Sequence, residues 1–116
     1  MITLYGLKNC DTCRKARKWL EAEGIEHEFH DFRSDGLDGE TLAAWVAALG
    51  WETLLNRRGT TWRNLPETDR EDLTSDHATA LMLQHPTLIK RPVFAAGDTT
   101  LVGFTKVEQD ALKAAS

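Results

Sequence analysis

The 116-residue chain carries two cysteines, three positions apart, in the stretch Lys8-Asn9-Cys10-Asp11-Thr12-Cys13-Arg14-Lys15. A short apolar run (Ile2, Leu4) precedes them and a helical pattern (Ala16, Leu20) follows, so they fall in a turn at the start of a helix. Residues three apart at a helix start lie on one face, within reach of a disulfide. The first amides of a helix lack intrahelical partners and carry partial positive charge, so Cys10 is expected to favour thiolate over thiol. Cys13, one turn further in, is expected to be more buried and better placed to resolve a mixed disulfide than to start one. The chemistry this spacing implies is thiol–disulfide exchange.

Acidity alone contributes little to that chemistry. An ordinary cysteine with a pKa of about 8.5 is roughly 3% thiolate at pH 7, and a pKa lowered by about two units raises that fraction about 25-fold. A Brønsted slope of about 0.45 takes back roughly 8-fold in nucleophilicity, which leaves a gain of about 3-fold. The surrounding fold must therefore orient the substrate against Cys10. A zinc site is the competing use of such cysteines, because Cys10-x2-Cys13 followed by His27-x2-His30 comes near a Cys2His2 spacing. The segment between the pairs reads as helix plus turn, however, and strand positions 27 and 30 point to opposite faces. No bound metal is expected. His77 and His85 fall on a later helix with no partner evident in the sequence.

The elements that must position the dithiol follow in order. Ile2–Tyr5 alternates as a strand, and Asp11–Glu23 is a helix with Cys13, Ala16 and Leu20 inward and Gly24 ending it. Residues 25–32 form a second strand, with alternation blurred by two histidines. Asp38 is the expected N-cap of a helix over 39–49, where Leu42, Trp45, Val46 and Leu49 recur at helical spacing and Gly50 closes the pattern. Residues 51–74 hold at most short helical pieces, with Trp45, Trp51 and Trp62 expected in a local core. Ser75 is expected to cap a helix with Ala78, Leu81 and Met82 inward, stopped by Pro86. Val93–Ala95 and Thr100–Val102 flank a Gly97-Asp98 turn as a hairpin. Thr105 and Glu108 form a capping box that opens a last helix with Val107, Ala111 and Leu112 inward.

A right-handed crossover makes the first two strands parallel, and the hairpin adds antiparallel partners. With a dithiol after the first strand, the expected fold is α/β and thioredoxin-like: a mixed sheet of four strands flanked by helices, with a helical insert. The thioredoxin-like part is expected at 1–37 and 87–116 of a single domain, and the insert at 38–86. Hydrophobic content of 41% and charged content of 28% are those of an ordinary globular protein. A net charge of −4 without a basic run speaks against direct nucleic-acid binding. The start lacks signal-peptide features and no run approaches the roughly 18 apolar residues of a membrane span. A cytoplasmic location is expected, where a lone cysteine pair is catalytic or metal-binding rather than a structural staple.

Four segments resemble the arsenate-reductase-like (ArsC/Spx) family along essentially the whole chain. They are Leu4-Tyr5-Gly6 with Cys10, then Arg14-Lys15-Ala16-Arg17-Lys18-Trp19-Leu20, then Leu54 through Trp62, and Ile89-Lys90-Arg91-Pro92. The Arg58-Gly59-Thr60-Thr61-Trp62 pattern is most similar to the small YffB-type branch. The resemblance implies Cys10 as the redox cysteine, a cis Pro92 that exposes the Arg91 backbone beside the thiolate, and Arg91 as a ligand for an anionic substrate or a glutathione carboxylate. Arg58, and less directly Arg57, are implied as further anion ligands. Lys8, two residues before Cys10, is a charge expected to favour the thiolate against solvent screening. Arsenate reductases of the family surround the cysteine with three arginines. Arg91 matches one, another falls on Asn56 beside Arg57 and Arg58, and the third falls on Gly103, so the clamp is incomplete and dedicated arsenate reduction is not expected.

The function expected is a thiol-dependent oxidoreductase. Cys10 attacks, Cys13 resolves, and glutathione or a thioredoxin- or glutaredoxin-type protein supplies electrons, with no bound cofactor. Its partners would be a small thiol or anionic substrate and a redox protein. The alternative implied by the same resemblance is an Spx-like regulator that binds RNA polymerase, switched by the disulfide. A third possibility is a binding module that has lost its chemistry.

Overall fold

The computed structural model describes residues 1–116. Its elements are β1 (Ile2–Gly6), α1 (Asp11–Ala22), β2 (His27–Asp31), α2 (Gly39–Leu49), α3 (Trp51–Leu54), α4 (Thr60–Arg63), α5 (Glu67–Arg70), α6 (Ser75–Gln84), β3 (Val93–Ala96), β4 (Thr99–Val102) and α7 (Lys106–Ala115). They divide into two compact units, Met1–Gly36 with Arg91–Ser116, and Leu37–Lys90. No helix is long and apolar enough to cross a membrane.

The first unit is a mixed four-stranded sheet in the order β2-β1-β3-β4, flanked by helices. β1 runs parallel to β2, with Leu4 opposite Phe29, and antiparallel to β3, with Leu4 opposite Phe94. The alternation of β1 turns Ile2 and Leu4 toward a core that also holds Ala16 and Leu20 of α1, Phe94 of β3 and Leu112 of α7. Burying a side chain such as Leu20 contributes about 1.5–3 kcal/mol, so this seam fixes where α1, and hence its cysteines, must lie. Gly24 takes the left-handed conformation (φ 68°) that ends α1. β2 is shorter than the alternation suggested, because Ile25 turns into the core before the pairing begins.

The capping box at α7 forms as its residues predict: Glu108 Oε1 accepts the Thr105 N–H at 2.7 Å. The inward face predicted for this helix is corrected at one position. Val107 is 71% exposed while Leu112 is fully buried. At about 100° per residue, position 107 points about 140° away from Leu112 and so faces solvent.

In the second unit, Asp38 caps α2 by accepting the Thr41 N–H at 2.7 Å, and Leu42 and Trp45 are its buried residues. The cap of α6 is Thr74 rather than Ser75: its hydroxyl accepts the His77 N–H at 3.2 Å while Ser75 is already helical. His77 also has a partner, Asp69, at 3.7 Å. Pro86 opens a 3-10 turn over Pro86–Leu88, directly after α6 ends.

Candidate active site

The dithiol site is built in the first unit, where β1 hands over to α1. Cys10 is the N-cap of α1; its carbonyl accepts the Arg14 N–H at 2.9 Å, and its own N–H turns back to the Leu7 carbonyl at 3.2 Å. These two bonds fold Leu7–Cys10 into a tight turn that leaves Cys10 half-buried. Cys13 is completely buried. Its sulfur fits only because residue 6 is glycine: a methyl group on Gly6 would overlap Cys13 Sγ.

The two thiols are chemically distinct as a result. Burial works against a thiolate at Cys10. The Cys13 backbone N–H, the Cys13 S–H and then Arg91, by hydrogen bond and by charge, outweigh it and bring the pKa below the ordinary thiol value. The Cys10 sulfur makes no full capping hydrogen bond, so the Cys13 N–H acts as a nearby donor rather than as a closed cap. At Cys13 burial dominates. It pushes the thiol up to about 12, opposed by the Leu7 N–H and reinforced by the Cys10 sulfur. Cys10 is therefore the more acidic of the two thiols and Cys13 the one that keeps its proton.

Arg91 and Pro92 reach this turn from the strand on the other side. Tyr5 of β1 pairs with Val93 of β3, which brings the residues before β3 alongside those after β1. The Arg91–Pro92 peptide is cis, and the Pro92 carbonyl accepts the Gly103 N–H at 2.8 Å. Cys10, Cys13, Arg91 and Pro92 are thus brought together.

Lys8 has a different part from the one its position suggested. The groups that lower the Cys10 pKa do not include it. Its backbone N–H donates to Asp31 Oδ2 at 2.9 Å, and its charge favours the Asp31 carboxylate. Arg57 and Arg58 belong to the second unit. There the Arg57 guanidinium lies 5.8 Å and 5.6 Å from the ring centres of Trp51 and Trp62, and the exposed Arg58 donates its N–H to Asn56 Oδ1 at 3.0 Å. His27 Nδ1 and His30 Nε2 contact the carbonyl oxygens of Ile25 (3.0 Å) and Gly36 (2.6 Å), and no three potential metal ligands converge anywhere in the chain.

Two residues of the site were not singled out in the sequence. Gly6 makes room for the Cys13 sulfur; its signal is a glycine that closes a strand just before the cysteines. Asp31, 5% exposed at the end of β2, accepts the N–H groups of Lys8, Arg33 (2.7 Å) and Ser34 (3.1 Å). Burial raises its pKa, but these donors and the Lys8 charge more than offset that and hold the carboxyl below its usual range. Asp31 ties the turn carrying Cys10 to the loop after β2. Its signal is a single acid between Phe29 and Phe32 that leads into turn residues.

A mixed four-stranded sheet with a dithiol at the N-terminus of its first helix, and a cis-proline loop beside it, defines a thioredoxin-like protein. Within that class the chain belongs to the ArsC family, which matches residues 5–112. It is 48% identical to the YffB protein, whose solved structure agrees with a TM-score of 0.91 over 99% of this chain and 98% of that one. An arsenate-reductase-related protein of Brucella melitensis is 47% identical, covering 95% of this chain and 92% of its own, with a TM-score of 0.78. The global transcriptional regulator Spx of Enterococcus faecalis is 30% identical over 93% of this chain and 83% of its own length.

Proposed function

We propose that this protein is a thiol–disulfide oxidoreductase with Cys10 as nucleophile and Cys13 as resolving thiol. The observation that carries this is the asymmetry of the pair: a half-buried Cys10 whose thiolate is favoured, and a buried Cys13 held as thiol at about 12. Cys10 thiolate attacks one sulfur of a substrate disulfide, forms a mixed disulfide and releases the first substrate thiolate. That thiolate takes up a proton. Cys13 then loses its proton and attacks the Cys10 sulfur, which expels the second substrate thiolate and leaves a Cys10–Cys13 disulfide. The substrate has gained two electrons and the enzyme has lost two. Two molecules of glutathione, or one dithiol of a thioredoxin- or glutaredoxin-type protein, return them. No bound cofactor takes part, and the cycle requires a reducing compartment such as the cytoplasm.

Arg91 is assigned the negative charge of the substrate beside Cys10; an anion-binding role for Arg58 and Arg57 is carried by the family resemblance alone. A third arginine of the arsenate-reductase pattern has no place at position 103, where φ is 95° and a Cβ would lie 3.4 Å from Glu108 Oε1. A side chain in that conformation costs about 1–3 kcal/mol. Organic disulfides rather than arsenate are therefore the substrate class.

Intact mass after exposure of reduced protein to oxidised glutathione tests this. Wild type is expected to show an internal disulfide, and Cys13→Ser a single glutathione adduct at Cys10. Cys10→Ser is expected to abolish turnover; activity that persists in Cys10→Ser would sink the mechanism. The similarity to Spx supports a second reading, a regulator whose partner is RNA polymerase and whose disulfide is the switch. A polymerase complex that depends on the redox state, with no turnover of disulfides, would favour it.

A further inference from the structure

Asp31 is a buried acid to which the thiol cycle gives no part. Burying a carboxylate is costly unless its oxygens are hydrogen-bonded. Its Oδ1 accepts the Arg33 and Ser34 N–H groups, which lie within the loop after β2. Its Oδ2 accepts the Lys8 N–H, 23 positions away in the turn that carries Cys10. The long-range bond is the one that reaches the dithiol.

Two consecutive peptide planes carry the connection onward. The N–H of Lys8 and the carbonyl of Leu7 belong to one rigid unit. Asp31 holds the N–H side of that unit, and the Cys10 N–H donates to its carbonyl side at 3.2 Å. The preceding unit joins the Gly6 carbonyl to the Leu7 N–H. There the Phe32 N–H donates to the carbonyl at 2.9 Å, and the Leu7 N–H is directed at the Cys13 sulfur. Both units thus have the end of β2 on one side and a cysteine on the other. A charged acceptor makes the stronger kind of hydrogen bond, so the Asp31 carboxylate is the firmer of the two anchors. Cys13 is fully buried on α1, and closing the disulfide therefore depends on where the turn holds the half-buried Cys10. We infer that Asp31 is a positioning residue for the resolving step: by holding the Leu7–Lys8 peptide it aligns Cys10 with Cys13 and favours the internal disulfide over a mixed disulfide. The inference rests on the dithiol cycle proposed above, and adds the group that commits the protein to that cycle rather than to a one-thiol route.

The test brings reduced protein to equilibrium with reduced and oxidised glutathione, quenches it in acid, and reads dithiol, glutathione adduct and internal disulfide by intact mass. In Asp31→Asn the amide oxygen can serve Arg33 and Ser34, which leaves its NH2 against the Lys8 N–H. The ratio of adduct to internal disulfide is expected to rise about 3- to 10-fold, the scale of one hydrogen bond. Lys8→Pro deletes the same bond from the donor side, at the second position of the Leu7–Cys10 turn, where proline is favoured. It is expected to raise the ratio similarly. Asp35→Ala is the control: Asp35 Oδ2 accepts the Asp31 N–H at 3.0 Å, so this variant loosens the loop after β2 and leaves the Lys8 bond in place. The wild-type ratio is expected there. An unchanged ratio in Asp31→Asn and Lys8→Pro, or an equal rise in Asp35→Ala, would overturn the positioning role and leave the oxidoreductase standing. Absence of any internal disulfide in wild type would overturn the dithiol cycle itself, and the positioning role with it.

Discussion

Gly6→Ala isolates the contact that separates the two thiols. Gly6 ends β1 opposite Asp31, and its carbonyl accepts the Phe32 N–H at 2.9 Å. An added methyl would overlap Cys13 Sγ, whereas it would meet Cys13 Cβ at 3.5 Å and Leu4 Cδ2 at 3.7 Å, which are ordinary contacts. The conflict is thus confined to one sulfur, on a fully buried side chain. Overpacking of this kind costs about 1–3 kcal/mol, and replacing glycine within a strand returns about 0.5–1 kcal/mol, for a net loss of up to about 2.5 kcal/mol. For 116 residues, an unfolding entropy of about 2.1 cal/mol/K per residue makes each kcal/mol worth about 4 °C, so Tm should fall by up to about 10 °C. The assay is a double-mutant cycle with Cys13→Ala, read by urea and thermal unfolding of the reduced proteins. Removing the sulfur should remove the conflict, giving a coupling of about 1–3 kcal/mol between the two sites. Equal cost of Gly6→Ala in both backgrounds would show that the glycine serves something other than the Cys13 thiol. In the single variant, the displaced sulfur should also slow closure of the Cys10–Cys13 disulfide after a mixed disulfide has formed.

Arg91→Gln removes the nearby cation, so the pH profile of Cys10 alkylation by iodoacetamide should move to higher pH and the rate at pH 7 should drop; an unmoved profile would leave the thiolate to the Cys13 donors alone. The Asp31 carboxyl is held below its unfolded value, so its contribution to stability is present above about pH 4 and disappears as pH falls through the lowered value. Asp31→Asn should therefore cost about 1–3 kcal/mol at pH 7, with the difference from wild type shrinking in acid, as urea midpoints measured across pH would show. Leu112→Ala should cost about 2–5 kcal/mol, whereas Val107→Ser should change stability by less than about 0.5 kcal/mol, which thermal unfolding separates directly.

Much of the fold is legible in the sequence because its signals are local. The alternation of Ile2 and Leu4, the spacing of Leu42, Trp45, Val46 and Leu49, and the Thr105–Glu108 box each depend on residues within two turns or one strand of one another. Left-handed glycines at 24 and 50 (φ 68° and 84°) are readable for the same reason. Errors arose where a choice depended on the approach of another element. Thr74 and Ser75 are equally good caps, and the entry of the chain into α6 selects the first. Val107 has the right type for a core but lies on the side of α7 turned away from Leu112, and His77 meets Asp69 only in the folded unit.

What the sequence determined by itself about the site is a dithiol on one face of a helix start, with the outer cysteine at the helix N-terminus, because thiol spacing and helix geometry are properties of a few consecutive residues. The tertiary structure alone decided how unlike the two thiols are. Cys13 is buried because β1 places a glycine beneath it, Cys10 gains Arg91 because β3 pairs with β1, and Lys8 is drawn to Asp31 because β2 ends beside the turn. Each of these contacts joins residues distant in sequence. Burial and charge act through space, so only the folded sheet, with its strand order and register, brings the groups near enough to set which sulfur holds the proton.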